Sequence, residues 1–326
     1  MIRRTTIAAV AFALLAPIAP AQEAASPAAA PAPPGREAPA DPRWAVDPET
    51  LASPYGEGDE RGALNRLDPE SVMAALGLVT RGEVLSLAVP LSRETPAYGW
   101  RRFDVVVGRG VWNEDVVTAP INTGTQIDGL AHLGVDGRFY GGRHIEDFHR
   151  NDGLQELGIE NASPIVTRGV ALDIAGLKGV ERLEIGYAVT PADIEAAMAR
   201  QGIEAIREGD VVIFHTGHRS LLDAGERETF LSGQPGPGIA AARWLAARGV
   251  VAVGGDSGSM EAMPFEREGL VFPVHQILLA EHGIYILENI ATERLAEAGW
   301  SEFLFVATPL PIVGASSSWV NPIAIR

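Results

Sequence analysis

The 326-residue chain contains no cysteine, and only one of its 26 basic residues, Lys178, is a lysine. The absence of cysteine excludes disulfides, thiol nucleophiles, thiolate zinc sites and iron–sulfur clusters. A Schiff-base or P-loop lysine would have to be Lys178, whose Gly-Leu-Lys-Gly context lacks the glycine spacing of a P-loop. Any catalytic chemistry must therefore depend on histidine, aspartate, glutamate, serine, or a metal ion with nitrogen and oxygen ligands.

Positive charge is also scarce. The chain has 26 basic and 42 acidic residues, a formal net charge of −16 and a pI near 4.9. Nucleic-acid binding needs clustered lysine and arginine to displace counterions, so no nucleic-acid partner is expected. The hydrophobic share of 46% is sufficient for a large core.

The first residues have the pattern of a secretory signal peptide. Arg3 and Arg4 precede an apolar run over residues 7–18, which ends in Ala-Pro-Ala at residues 19–21. This run is shorter than the roughly 20 residues needed to span a bilayer, which disfavours a membrane anchor. A buried N-terminal helix is the other alternative. We expect cleavage after Ala21, a periplasmic or secreted location, and no membrane attachment afterwards.

Residues 22–43 are rich in alanine and proline and poor in large apolar side chains. Such a segment is typical of a flexible or polyproline-like linker. No internal repeat and no second linker follow, so residues 44–326 are predicted to form one domain.

Helix and strand signals alternate along that domain. Capping residues and proline positions predict helices over residues 68–79, 190–200 and 237–248. Short apolar runs predict strands over residues 83–89, 169–174, 210–215, 250–254, 284–287 and 303–307. The predicted fold class is therefore α/β, with a mixed β-sheet core flanked by helices.

The densest polar cluster spans residues 122–132. If residues 122–128 are extended, Asn122, Gln126 and Asp128 lie on one face of the strand. Gly129 then allows a turn that brings His132 back toward them. A carboxylate beside an imidazole is what a metal site or a general base requires. A polar strand edge followed by a turn remains an equally good interpretation.

A second candidate pair is His275 and Glu288. Glu288 ends an apolar strand, where a carboxylate is unfavourable unless it is paired or bound to a cation. Taken singly, each residue also fits a structural role. His215 and His218 end another strand, where they face either the same cleft or a solvated loop. The roles of His215 and Asp256 stay open.

Two further histidines and one serine motif complete the candidates. His144 and His149 lie in a charged stretch and are expected at the surface. Gly-Asp-Ser-Gly at residues 255–258 is similar to the nucleophile segment of trypsin-like proteases, with Ser257 as nucleophile. Those proteases are nearly all β, so the predicted helices disfavour this alternative.

Several motifs in one order resemble the cyclase family of metal-dependent hydrolases, which includes bacterial kynurenine formamidase and isatin hydrolase. The family signature His-x-Gly-Thr-His-x-Asp-x-Pro-x-His lies over residues 122–132. The resemblance extends over residues 55–325 and includes four further segments: residues 59–67, 237–256, 275–289 and 309–312.

The resemblance implies a swivelling β/β/α fold, a homo-oligomer and a metal-dependent hydrolase. The implied substrates are small cyclic or N-formylated molecules whose amide, imide or lactone bond is opened by metal-activated water. By position, Asp128, His275 and Glu288 match the family's metal ligands. His132 matches its catalytic histidine.

Two departures from the signature affect the expected cofactor. Asn122 and Gln126 stand where the family has histidines, and Leu130 replaces the proline. Amide oxygens are harder donors than imidazole and favour Mn or Mg relative to Zn. We expect one divalent metal, Mn or Zn, held by Asp128, His275 and Glu288 with help from Gln126. The alternative is a catalytically impaired small-molecule-binding protein on the same fold.

Overall fold

The computed structural model describes residues 43–326, which belong to one compact unit. The strands, in chain order, are β1 (Val84–Ser86), β2 (Asp104–Gly108), β3 (Glu114–Thr118), β4 (Gln126–Asp128), β5 (His149–Arg150), β6 (Gly153–Leu154), β7 (Ile165–Asp173), β8 (Ala188–Val189), β9 (Val211–His215), β10 (Gly236–Pro237), β11 (Ala252–Gly255), β12 (Tyr285–Glu288), β13 (Glu302–Ala307), β14 (Ser317–Trp319) and β15 (Ile323–Ile325).

The helices are α1 (Pro69–Leu76), α2 (Ile145–Phe148), α3 (Ile174–Lys178), α4 (Pro191–Gln201), α5 (Ser220–Asp223), α6 (Arg227–Ser232), α7 (Ile239–Ala246), α8 (Pro273–His275) and α9 (Glu293–Ala298). The π-helix Gln276–Glu281 continues α8. Short 3-10 segments lie at Pro48–Thr50, Gly62–Arg66, Tyr140–Gly142 and Ile159–Asn161.

The predicted signal peptide and residues 22–42 of the predicted linker lie outside the described residues. Within residues 43–326, no helix combines the length and the hydropathy needed to span a bilayer.

A nine-stranded mixed sheet forms the centre of the fold, in the order β1-β15-β13-β7-β9-β11-β12-β4-β14. The four strands β7, β9, β11 and β12 are parallel, and the strands on either side of them pair antiparallel. Parallel strands are covered on both faces, which explains the continuous apolar runs in β9 and β12. The predicted mixed α/β sheet flanked by helices is confirmed.

Local capping sets the ends of the two best-predicted helices. Asp68 caps α1 and Thr190 caps α4, each in a reciprocal capping box. Gly202 ends α4 in the left-handed conformation at φ 70°, which glycine adopts without strain. The helix predicted over residues 237–248 begins later, at Ile239, because Gly236–Pro237 pairs with β8.

Two sequence predictions for the segment before the site need correction. The strand predicted over residues 122–128 contains only Gln126–Asp128, because Gly124 turns the chain at φ 76°. The sequence analysis also did not identify the β2–β3 hairpin. Its two strands form a separate two-stranded sheet. Val106 and Val116 pair with each other in this hairpin, and each is 59% exposed.

Candidate metal centre

Three neighbouring strands bring polar side chains together at one end of the sheet. In the antiparallel register, Glu288 of β12 lies opposite Gln126 of β4, and Ser317 of β14 lies opposite Asp128. Gln126 and Asp128 are two residues apart on β4, so their side chains project from the same face. All four side chains are buried.

Hydrogen bonds use one side of Gln126 and one side of Asp128. Gln126 Nε2 donates to Glu288 Oε2 at 2.7 Å. Asp128 Oδ1 accepts from Asn122 Nδ2 and from Ser317 Oγ, each at 2.9 Å. Gln126 Oε1 and Asp128 Oδ2 are buried and have no hydrogen-bond partner within residues 43–326. A buried oxygen without a partner is unfavourable by about 1–3 kcal/mol, which indicates a missing electropositive partner.

His275 lies between two carboxylates. Its Nδ1 is 2.9 Å from Glu261 Oε1, and its Nε2 is 3.4 Å from Glu288 Oε1. The Glu261 carboxylate also accepts from the backbone N–H groups of Val274 and His275, which fixes the start of α8. A carboxylate on one imidazole nitrogen is the arrangement that orients a metal-binding histidine.

Burial and neighbouring charge shift the pKa values of this pair. Burial lowers the pKa of His275, but the contacts with Glu261 and Glu288 outweigh it and raise the pKa to about 10. Burial raises the pKa of Glu288 to about 8; the negative charge of Asp128 adds to the rise and His275 opposes it. Without a metal, these shifts therefore favour the protonated forms of both His275 and Glu288 near neutral pH.

His132 approaches from the loop after β4. Its ring centroid lies 6.1 Å from that of His275, and its Nδ1 lies 3.1 Å from Ser317 Oγ. Because the Ser317 hydroxyl donates to Asp128, its oxygen accepts from His132, which assigns the proton to Nδ1 and leaves Nε2 unprotonated. Burial lowers the pKa of His132, although Asp128 partly opposes this. His132 is therefore neutral at pH 7.

Gln126, His132, His275 and Glu288 form the floor of a cavity of about 310 Å³. Its walls include Tyr98, Arg101, Leu133, Gly258, Met263 and Phe272. This volume is at the lower end of the range of roughly 300–1,000 Å³ typical of small-molecule sites. The cavity therefore fits a small substrate.

The residues present fit a divalent cation. Asp128, His132 and His275 each offer a ligand atom, and these atoms lie within 4.8 Å of one another. The unpartnered oxygens of Gln126 and Asp128 add hard donors to the two imidazoles. Nitrogen and oxygen ligands of this kind suit Mn or Zn.

The structure brings together all five residues that the sequence predicted for the site: Gln126, Asp128, His132, His275 and Glu288. Their division into ligands and a catalytic base stays a prediction. Asn122, which occupies a family histidine position, turns its amide nitrogen toward Asp128 and Ser317. Its amide therefore supports Asp128 as a hydrogen-bond donor.

The sequence analysis missed two supporting residues. Glu261 lies in a turn after β11, and Ser317 is one of three consecutive serines. Neither has a periodic or motif signal. Their roles depend on contacts across 14 and 189 residues of sequence, respectively, which only the fold establishes.

The other candidate histidines lie away from the cavity. His215 contacts Thr292 at 2.8 Å and borders two other cavities. His218 is completely buried against Phe230 and contacts the carbonyl of that residue. It therefore lies neither in the cleft nor in a solvated loop, the two locations that the sequence analysis considered. His149 is exposed, as predicted, and His144 is half-buried at the start of α2.

The structure also locates the lysine and the serine that the sequence analysis disfavoured as catalytic groups. Lys178 pairs with Asp193 and lies over the Tyr187 ring, and it does not line the cavity. Ser257 is buried and donates to the carbonyl of Ser259 at 2.7 Å. The mixed sheet with helices also differs from the nearly all-β protease fold, so the Ser257 alternative is wrong.

The sequence of the chain matches a known protein family over more than half of its length. The family model described as Cyclase matches residues 85–262, which is 178 of the 326 residues. The chain belongs to the cyclase family. This confirms the membership that the signature at residues 122–132 suggested.

Solved cyclase-family structures share the fold. A protein described as a novel cyclase is 30% identical with a TM-score of 0.76, over 83% of this chain and 98% of that one. Isatin hydrolase A from Ralstonia solanacearum is 22% identical with a TM-score of 0.60, over 79% and 97%. An isatin hydrolase bound to the product analogue thioisatinate is 18% identical with a TM-score of 0.58, over 79% and 98%. No curated protein matches this chain by sequence.

Proposed function

We propose that this cyclase-family protein is a metal-dependent hydrolase that opens an amide, imide or lactone bond of a small cyclic or N-formylated substrate. The observation that carries the proposal is the pair of unpartnered buried oxygens, Gln126 Oε1 and Asp128 Oδ2, close to two imidazoles that line the cavity. The similarity to isatin hydrolases supports this class of substrate.

Asp128, His275 and Glu288, with Gln126, would hold one divalent ion. When bound, such an ion polarises a carbonyl oxygen and lowers the pKa of a water molecule toward neutrality. Glu261 holds the His275 ring by its Nδ1, which directs Nε2 into the site. Gln126 donates its amide hydrogen to Glu288, which leaves its carbonyl oxygen for the ion.

His132 moves the protons in this proposal. The contacts from His132 Nδ1 to Ser317 and from Ser317 to Asp128 fix the ring and its tautomer. The unprotonated Nε2 takes a proton from the attacking water. The resulting imidazolium then donates that proton to the leaving nitrogen or oxygen. Burial lowers the pKa of His132 below its usual value, which keeps the neutral ring available to accept the proton close to neutral pH.

A second candidate is a binding protein that has lost this activity. Asn122 and Gln126 favour it, because two imidazole ligands of the family signature are absent and Asn122 is used as a hydrogen-bond donor. Such a protein would bind the same small molecules in the same cavity without turnover.

Turnover separates the two candidates. We expect the full chain, loaded with Mn²⁺ or Zn²⁺, to hydrolyse at least one member of a panel of formamides, cyclic imides and lactones. EDTA should abolish this activity, and added metal should restore it. Binding of panel members without any hydrolysis would support the binding protein and contradict the enzyme.

A further inference from the structure

A tight turn over residues 98–101 places an arginine at the cavity wall. The Arg101 backbone N–H donates to the Tyr98 carbonyl at 3.3 Å, which closes the turn. The Tyr98 hydroxyl donates to the buried Gln234 side chain at 2.9 Å. Tyr98 also packs against Gly258, where a β-carbon would lie 2.9 Å from its ring. The turn is therefore fixed to the protein body.

Arg101 is the only lysine or arginine among the described residues that line this cavity. Its side chain is half-buried. Its guanidinium makes no hydrogen bond or ion pair with any residue in the part of the chain that the structure describes. Guanidinium groups commonly pair with carboxylates in two parallel hydrogen bonds, and Arg143 does contact Glu156 at 2.6 Å. Arg101 therefore presents unused donors to the cavity.

Arg101 lines the same cavity as His132 and Glu288. Among the described residues it forms no ion pair with the Glu288 carboxylate, so its guanidinium is not in contact with that carboxylate. An anion held by Arg101 would therefore be a group other than the bond that His132 serves.

We propose that Arg101 binds a carboxylate that the substrate carries away from its scissile bond, so that the preferred substrates are anionic. This inference rests on the proposed function for the reaction at the cavity floor. The carboxylate would accept two parallel N–H donors of the guanidinium, in a half-buried position where charge-assisted hydrogen bonds are strong. Uncharged amides or lactones of the same shape would leave those donors unpaired.

Binding of an isosteric pair, benzoate and benzamide, tests the assignment without turnover. Calorimetric titrations use the full chain after EDTA treatment and again with added Mn²⁺. Comparing the two conditions separates binding of benzoate to Arg101 from coordination of benzoate by the metal. Wild type should bind benzoate at least about tenfold more tightly than benzamide under both conditions, as one hydrogen bond to a charged group predicts. Arg101→Gln should reduce that ratio to about one, and Arg101→Lys should retain part of it.

Arg102→Gln is the matched control. Arg102 is the next residue, is exposed and does not line the cavity, so its variant should keep the wild-type ratio. A ratio near one in wild type, or the same ratio in wild type and Arg101→Gln, would overturn the proposal. Thermal unfolding midpoints of the two variants show that both are folded, and Arg101→Lys provides a second folded comparison.

Turnover distinguishes failure of this inference from failure of the proposed function. 4-Formamidobenzoate carries, across the ring from its formamide, a carboxylate that formanilide lacks. Faster hydrolysis of 4-formamidobenzoate that Arg101→Gln removes supports the inference. Equal hydrolysis of both compounds keeps the hydrolase and contradicts the role of Arg101. Hydrolysis of neither contradicts the hydrolase on these formamides, and the benzoate ratio then decides the role of Arg101.

Discussion

The two carboxylate oxygens of Asp128 have different roles: one accepts hydrogen bonds that position the side chain, and the other is available to a metal ion. Its Oδ1 accepts two hydrogen bonds at 2.9 Å, from Asn122 and Ser317, whereas its Oδ2 has no partner among the described residues. An asparagine in place of a family histidine thus contributes a donor that holds the carboxylate. This donor holds Asp128 by one oxygen, and the second oxygen is available to a cation.

His132→Ala tests the role of the proton-transferring residue. We expect kcat to fall by about 10²–10⁴-fold, the usual contribution of a general acid–base, while the metal content stays unchanged. Mass-spectrometric metal analysis and steady-state kinetics on the same preparation measure both. His149→Ala, at an exposed position, is the control. Loss of metal in His132→Ala would make His132 a ligand and contradict the assigned role.

Asp210 predicts a pH dependence of stability away from the site. Burial raises its pKa to about 6, although the Arg207 N–H and the Arg168 guanidinium oppose the rise. The folded state therefore binds a proton that the unfolded state, with its carboxyl pKa of 3.8, has lost. The free energy of unfolding should fall as the pH rises from about 4 to 6, by about 3 kcal/mol.

Denaturant unfolding of wild type and Asp210→Asn between pH 4 and 7 measures this effect. As the pH rises, the unfolding free energy of wild type should fall relative to that of Asp210→Asn, because asparagine does not ionise. Parallel profiles for the two proteins would contradict the raised pKa.

At the scale of elements, sequence signals were reliable where one segment determines its own structure. Strand β9 is an apolar run up to its last residue, and helix α4 carries a cap, a proline and a terminal glycine within thirteen residues. The β2–β3 hairpin was missed because its consecutive valines have no alternating pattern with polar residues. Glu261 and Ser317 were missed because their positions depend on register between distant strands.

Thr190→Ala tests the local account of α4. The Thr190 hydroxyl oxygen accepts from the Asp193 N–H at 3.2 Å, and the Asp193 side chain accepts from the Thr190 N–H at 2.9 Å. Removing the hydroxyl should lower the free energy of unfolding by about 1 kcal/mol. Thr190→Ser should lose much less. Chemical denaturation measures both variants, and equal stability of Thr190→Ala and wild type would contradict the capping role.

For the whole molecule, the β2–β3 hairpin is an apolar, exposed element outside the central sheet. Val106, Val107, Val116 and Val117 are exposed on it, and Trp112 near its tip is 72% exposed. A two-stranded hairpin is at best marginally stable alone in water, and exposed apolar surface of this kind is typical of interfaces. We propose that a second copy of the chain covers it, in agreement with the homo-oligomer that family resemblance implies.

Light scattering after size-exclusion chromatography tests that proposal. Wild type should elute as a dimer or larger oligomer, and Val106→Glu together with Val116→Glu should shift it toward the monomer. Val180→Glu is the control, because Val180 is 46% exposed outside the hairpin. A monomeric wild-type protein, or an oligomer that the paired substitutions leave unchanged, would contradict the role of the hairpin.

The most direct test of the account is the metal stoichiometry of the full chain. After EDTA treatment, calorimetric titration with Mn²⁺ and with Zn²⁺ should give one bound ion per chain for at least one of the two metals. Asp128→Ala should abolish that binding, and Asp223→Ala, at an exposed position, should retain it. Absence of binding by wild type, two ions per chain, or equal binding by Asp128→Ala would contradict a single metal held at Gln126, Asp128, His275 and Glu288.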